Sequence, residues 1–138
     1  MIIGYKYSEE ECMPGQVLVA TEDHLPGLSP EKQRAELAIR GGDPRGSLRG
    51  RAVYAFADRR VAERLLADAG GQQLYEMAIE EGDIIHRGDL RIFDEVVEAL
   101  KAGRCADASI AAYWRGEQRA SPRLELCARR MVARRRVG

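Results

Sequence analysis

The residues of this chain best suited to chemistry are one tyrosine and a scattered set of carboxylates. The run RAVYAFADRRVAERLLADAG, residues 51–70, joins an alternating strand to a capped helix with almost nothing between them. Val53, Tyr54, Ala55 and Phe56 read as extended chain, Asp58 as the helix cap and Gly70 as its stop. So abrupt a step serves either plain architecture or chemistry at a Tyr54 held at its top. The stretch EEGDIIHRGDL sets Glu80, Glu81, Asp83 and Asp89 around the imidazole of His86 and the guanidinium of Arg87. A carboxylate in such company can steady a cationic transition state or take a proton, although the same pattern also describes a solvated turn. Tyr113-Trp114 offers stacking surface, but with Ile110 it forms an i, i+3, i+4 face, which favours core packing.

The common sequence-visible enzymes are excluded by spacing. His24, His86 and the three cysteines, Cys12, Cys105 and Cys127, never fall at metal-ligand intervals, so no metal is expected. None of Ser8, Ser29, Ser47, Ser109 and Ser121 sits in a G-x-S-x-G elbow. The segment GGDPRG lacks the lysine of a P-loop and the spacing of a dinucleotide fingerprint.

The elements that must position these residues are legible in outline. MIIGYKY alternates as a strand, and PGQVLVAT is a second candidate after a Pro-Gly turn. SPEKQRAELAIRGG reads as a helix capped by Ser29, with Pro30 in its first turn and Gly41 at its end. Its thin apolar face (Ala35, Leu37, Ala38, Ile39) predicts a peripheral helix. Residues 41–50, rich in glycine, read as a flexible loop and a candidate lid. Val61, Leu65, Leu66 and Ala69 form the buried face of the helix after Tyr54. QQLYEMAI is a strand, GDIIHRGDLRIF two extended pieces around a turn at Arg87-Gly88-Asp89, and EVVEALKAG a helix capped by Asp94. Asp107 caps ASIAAYWRG, and PRLELCARRMVARRRV holds one or two closing strands. Strands with intercalated helices, without regular βα alternation, predict a compact α+β fold in a single domain spanning 1–138.

Net charge is zero but unevenly spread: residues 1–31 carry one Lys and six acidic groups, and residues 118–138 carry seven Arg and one Glu. The basic tail reads as an edge strand whose charges discourage pairing with other chains; contact with phosphates is the alternative. An odd number of dispersed cysteines argues for free thiols in a reducing compartment, by default the cytoplasm. No apolar run approaches the roughly 20 residues of a membrane span.

Taken in order, these pieces resemble the small ADP-ribosyltransferase fold, in particular its compact rifampin-modifying type. Three stretches within residues 3–93 carry the likeness: GYKYSEEECMPGQVLVAT resembles that family's first strand and turn, RAVYAFADRRVAERLLADA its tyrosine-bearing strand and helix, and QQLYEMAIEEGDIIHRGDL its next strand and acidic loop. The resemblance implies two small, mainly antiparallel sheets with peripheral helices and a cleft that holds NAD in a bent form. The bond from ribose C1′ to nicotinamide then breaks through an oxocarbenium-like state, which needs an aromatic wall and nearby negative charge. The resemblance places Tyr54 as the wall and Asp83 or Asp89 as the acid. Asp89 is preferred because Gly88 lets the backbone turn before it. Many family members take the acid from a later strand, where this chain offers Glu125. The family's first strand usually brings a histidine or arginine to the adenosine ribose; this chain has Tyr5-Lys6-Tyr7-Ser8, so Lys6 or Tyr7 would hold the ribose, with Ser8 beside them. The acceptor of the ADP-ribose would be a protein, a nucleic acid or a small molecule. The alternative is a catalytically inactive module of the same fold that binds through its basic C-terminal surface.

Overall fold

The computed structural model describes residues 1–66 and 70–138. It is an α+β fold built on one seven-stranded antiparallel sheet. In chain order the strands are β1 (Ile2–Ser8), β2 (Val17–Leu18), β3 (Val53–Phe56), β4 (Gln73–Ile79), β5 (Ile84–Asp89), β6 (Leu124–Ala128) and β7 (Met131–Arg136). The α-helices are α1 (Pro30–Arg40), α2 (Arg59–Leu66), α3 (Leu90–Lys101) and α4 (Asp107–Trp114). Across the sheet the order is β2-β7-β4-β1-β3-β6-β5. The two separate sheets expected from sequence are therefore one. Its halves meet through a single register pair, Tyr5 with Phe56, between β1 and β3.

Strand alternation sorts the side chains into two layers. Val53, Ala55, Met77, Ile79, Leu126 and Ala128 form one core beneath the sheet, joined by Met131 and Cys12. The opposite face carries Tyr54, Phe56, Glu125 and Cys127, because Tyr54 pairs with Cys127 and Phe56 with Glu125. Here α1, α3 and α4 gather a second core of Ala35, Ile39, Ile92, Phe93, Val96, Tyr113 and Trp114. Tyr113 and Trp114 are core residues, as their spacing suggested, and the indole nitrogen donates to the Ile39 carbonyl at 2.8 Å.

Several local expectations are corrected. Helix α1 is not peripheral: Ala35 and Ile39 are fully buried, while Leu37 of the same proposed face is exposed. Residues 44–51 form a 3-10 helix rather than a lid. Its Gly46 lies so close to α1 that a Cβ would stand 1.8 Å from the Arg40 carbonyl oxygen, so the segment is seated in the fold. No turn falls at Arg87-Gly88-Asp89: β5 runs through Asp89, and Asp89, not Asp94, caps the helix that follows. Gly88 serves close approach rather than turning, since a Cβ there would meet the Tyr113 ring at 2.3 Å. Asp107 is the first residue of α4, with Ala106 before it as the cap. Asp58 does cap α2, accepting from the Arg60 and Val61 amides at 2.7 and 3.3 Å. Val61 is buried on the proposed face of α2; Ala69 lies outside the described residues. The strand candidate PGQVLVAT shrinks to two residues that cover only the start of β7, leaving the arginines 134–136 at an edge.

Candidate active site

The site opens where the two halves of the sheet part. Beyond Tyr5 and Phe56 no further pair extends the β1–β3 ladder among the described residues. Instead the Lys6 ammonium donates to the Tyr54 carbonyl at 3.1 Å. A hollow of about 140 Å³ lies in the gap, with Tyr5, Lys6, Tyr7, Tyr54, Phe56 and Glu125 among its walls. A second hollow of about 400 Å³ continues past Tyr54 and Glu125 toward α1 and α3, between His24, Glu36, Arg49, Phe93 and Arg123. Tyr54 and Glu125 line both. The volume is typical of a small-molecule site.

Tyr54 is held on three sides. Its hydroxyl donates to the Arg49 carbonyl at 2.7 Å, the His24 ring meets it edge-on at 4.9 Å, and the Arg49 guanidinium lies 5.3 Å from its ring centre. Burial pushes the phenol's pKa up, against the pull of the Arg49 charge, so it stays a neutral donor. Behind the ring, Arg49 grips Glu36 with two bonds of 2.7 and 2.8 Å and donates to the Tyr113 hydroxyl at 2.6 Å. Burial alone would raise the Glu36 pKa, but hydrogen bonds from Arg49, His24 and Arg40 hold it well below the usual carboxylate range. Because that carboxylate only accepts, the His24 Nε2 3.3 Å away carries the proton. Arg40 completes the cluster, binding Glu36 at 2.9 Å and Asp23 through two 2.8 Å bonds.

Glu125 stands in the opposite electrostatic setting. Burial of its carboxyl pushes the pKa up to about 7, and Arg49 and Lys6 oppose the rise without cancelling it. Burial also lowers the Lys6 pKa, with Glu125 acting against it. Glu125 can thus exchange a proton near neutrality, as a general acid or base must.

The other residues singled out in the sequence divide sharply. Asp89, the preferred acid, is completely buried away from the groove. Its two oxygens accept backbone N–H bonds from Arg91 at 2.9 Å, Arg119 at 2.8 Å and Arg123 at 3.0 Å, which leaves it a structural cap. Asp83 pairs with Arg130 at 3.0 Å at the far end of β5. Tyr7 walls the smaller hollow, and its hydroxyl donates to the Ala62 carbonyl. Ser8 turns away, donating to the Glu10 carbonyl at 2.7 Å. The carboxylates around His86 disperse: Glu81 pairs with Arg87 at 2.9 Å, and His86 donates to the Tyr113 carbonyl at 2.7 Å. On the basic C-terminal face, Arg134 and Arg135 each lie 3.4 Å from Glu76, which offsets part of its charge.

Sequence reasoning missed Glu36, Arg49 and His24. The i, i+4 pair Glu36–Arg40 was a usable signal, since a carboxylate on the apolar face of α1 demands a buried partner. Fold and groove together define an α+β protein with a cleft at a parting of its sheet. No protein-family model matches the chain, and no curated protein matches its sequence.

Proposed function

We propose that the protein is an ADP-ribosyltransferase-like enzyme that takes ADP-ribose from NAD, with Tyr54 as the ring against nicotinamide and Glu125 as the acid. One observation carries the reading: Tyr54 and Glu125, 71 positions apart in the chain (125 − 54), line the same two adjoining hollows. The resemblance in the N-terminal stretches supports it, and so does the opening beside the single Tyr5–Phe56 pair, where a bent dinucleotide can enter between two strand sets. Glu125 replaces Asp89 in the acid's role because a carboxylate saturated by three backbone amides and shut from the groove cannot face a substrate.

In this reading the nicotinamide leaves with the electron pair of the C1′–N bond. The ionised Glu125 steadies the positive charge that develops at C1′ and then takes the proton of the attacking acceptor. Lys6 and Tyr7 stand at the ribose end. The test is incubation of the purified protein with NAD while nicotinamide release is followed, with Tyr54→Ala and Glu125→Gln as comparisons. Release that depends on both residues supports the reading. No release with any acceptor, together with no NAD binding by calorimetry, overturns it.

A further inference from the structure

A third cavity, of about 310 Å³, lies on the other side of Leu65 and Arg123 from the groove and shares those two residues with it. Three arginines reach it from three different elements: Arg64 from α2, Arg91 from the first turn of α3, and Arg123 from the segment before β6. None of the three forms an ion pair among the described residues. Arg64 uses its Nε toward the Arg60 carbonyl and Arg91 its Nε toward the Ser121 carbonyl, and among the described residues their terminal nitrogens make no further hydrogen bond. The other charged group in the wall is Asp58, whose Oδ1 accepts the amides that open α2, so one carboxylate faces three arginines.

The arginines do not converge by accident of a loose surface. The fully buried Asp89 carboxylate binds the backbone amides of Arg91 and Arg123 together with that of Arg119, tying the start of α3 to the chain entering β6. Between those ties Ser121 holds a left-handed backbone, φ 49°, and accepts the bond from Arg91. A non-glycine residue at such φ costs about 1 kcal/mol or more, and here the surrounding bonds impose it. A buried acid thus fixes the backbone from which two of the three arginines extend toward one hollow.

We propose that this pocket binds a phosphate group, with the forks of Arg64, Arg91 and Arg123 as its donors and Asp89 as the positioning residue beneath them. Planar forks suit phosphate oxygens better than single ammonium groups do, and three arginines with no ion-pair partner among the described residues, set against the one carboxylate of Asp58, give a net positive wall that suits an anion of more than one charge. Val61, Leu65, Pro122 and Leu124 give the same hollow an apolar wall, which suits the organic body of a phosphate monoester. The shared Leu65 and Arg123 aim that body at the groove of Glu125. The pocket's role stands whether or not the groove transfers ADP-ribose.

The experiment is calorimetric titration of the 138-residue protein, without NAD, using inorganic phosphate in one arm and ribose 5-phosphate in the other. Binding should weaken roughly tenfold or more in Arg91→Ala and in Arg123→Ala, and fall as salt rises. Arg34→Ala and Arg51→Ala, at exposed positions away from this pocket, should leave it unchanged. Tighter binding of ribose 5-phosphate than of phosphate assigns the pocket to an organic phosphate; equal binding assigns it to the free anion. A protein that binds neither, or whose binding survives both pocket substitutions, overturns the proposal. So does equal loss in the two surface variants. Thermal melts of each variant, and binding by Arg91→Lys as a conservative replacement, separate a lost ligand from a lost fold.

Discussion

Arg49 holds Tyr54 twice: its carbonyl accepts the phenol hydrogen at 2.7 Å, and its guanidinium stands 5.3 Å from the centre of the same ring. The guanidinium is itself fixed by Glu36, so the orientation of the groove's aromatic wall depends on an ion pair buried behind it.

Glu36→Ala should cost about 3–5 kcal/mol of stability, because it leaves Arg49 charged and buried without its partner. Urea denaturation followed by circular dichroism measures it. Since the Glu36 pKa is depressed in the folded state, its contribution is present above the unfolded carboxylate pKa of about 4.3 and is lost as pH falls below it. A loss under about 1 kcal/mol would mean that the pair does not support the fold.

Glu125 carries the opposite sign. Its folded pKa of about 7 lies above the unfolded value of about 4.3, so the folded state loses stability from this group as pH rises between them. Glu125→Gln should remove that decline and be no less stable than the parent at about pH 8, while nicotinamide release is lost. In the parent, release should climb with pH through about 7 as the carboxylate ionises. A flat profile across that range excludes Glu125 as the titrating acid.

Asp89 is expected to fail in another way. Asp89→Ala strips acceptors from three backbone amides, at about 1–3 kcal/mol for each one left buried without a partner. The melting temperature should fall steeply, and any loss of activity should follow the unfolded fraction. An Asp89→Ala protein that melts like its parent but releases no nicotinamide would return this residue to the catalytic role.

Tyr54→Phe keeps the ring and removes only the bond to Arg49, a change of about 1 kcal/mol. Nicotinamide release should persist in Tyr54→Phe and collapse in Tyr54→Ala, because the wall is the face of the ring. Equal loss in both variants assigns the work to the hydroxyl.

Gly88→Ala tests the contact between sheet and helix. The added methyl would meet the Tyr113 ring at 2.3 Å, and overpacking of this kind costs about 1–3 kcal/mol. Tyr113 also receives the Arg49 bond, so the same change should disturb the Tyr54 wall, visible as a shift in tyrosine fluorescence.

Local features were legible in the amino-acid order because they act over a few residues. Alternation marked β1, β3 and β4, the Asp58 and Ser29 caps marked the starts of α2 and α1, and helical spacing marked Tyr113 and Trp114 as core. Tyr54 was already picked out on its strand. What local pattern could not decide was which carboxylate meets it. Asp89 and Glu125 look alike as letters, yet Asp89 falls where three amides converge, whereas register places Glu125 beside Gly88 and Phe56 on the face that opens. Pairing between strands far apart in the chain set Glu125 beside the hollows that Tyr54 lines and merged two expected sheets into one, while packing against α1 seated the 44–51 segment. Those outcomes depend on long-range register and on burial, and neither is written in any short stretch of sequence.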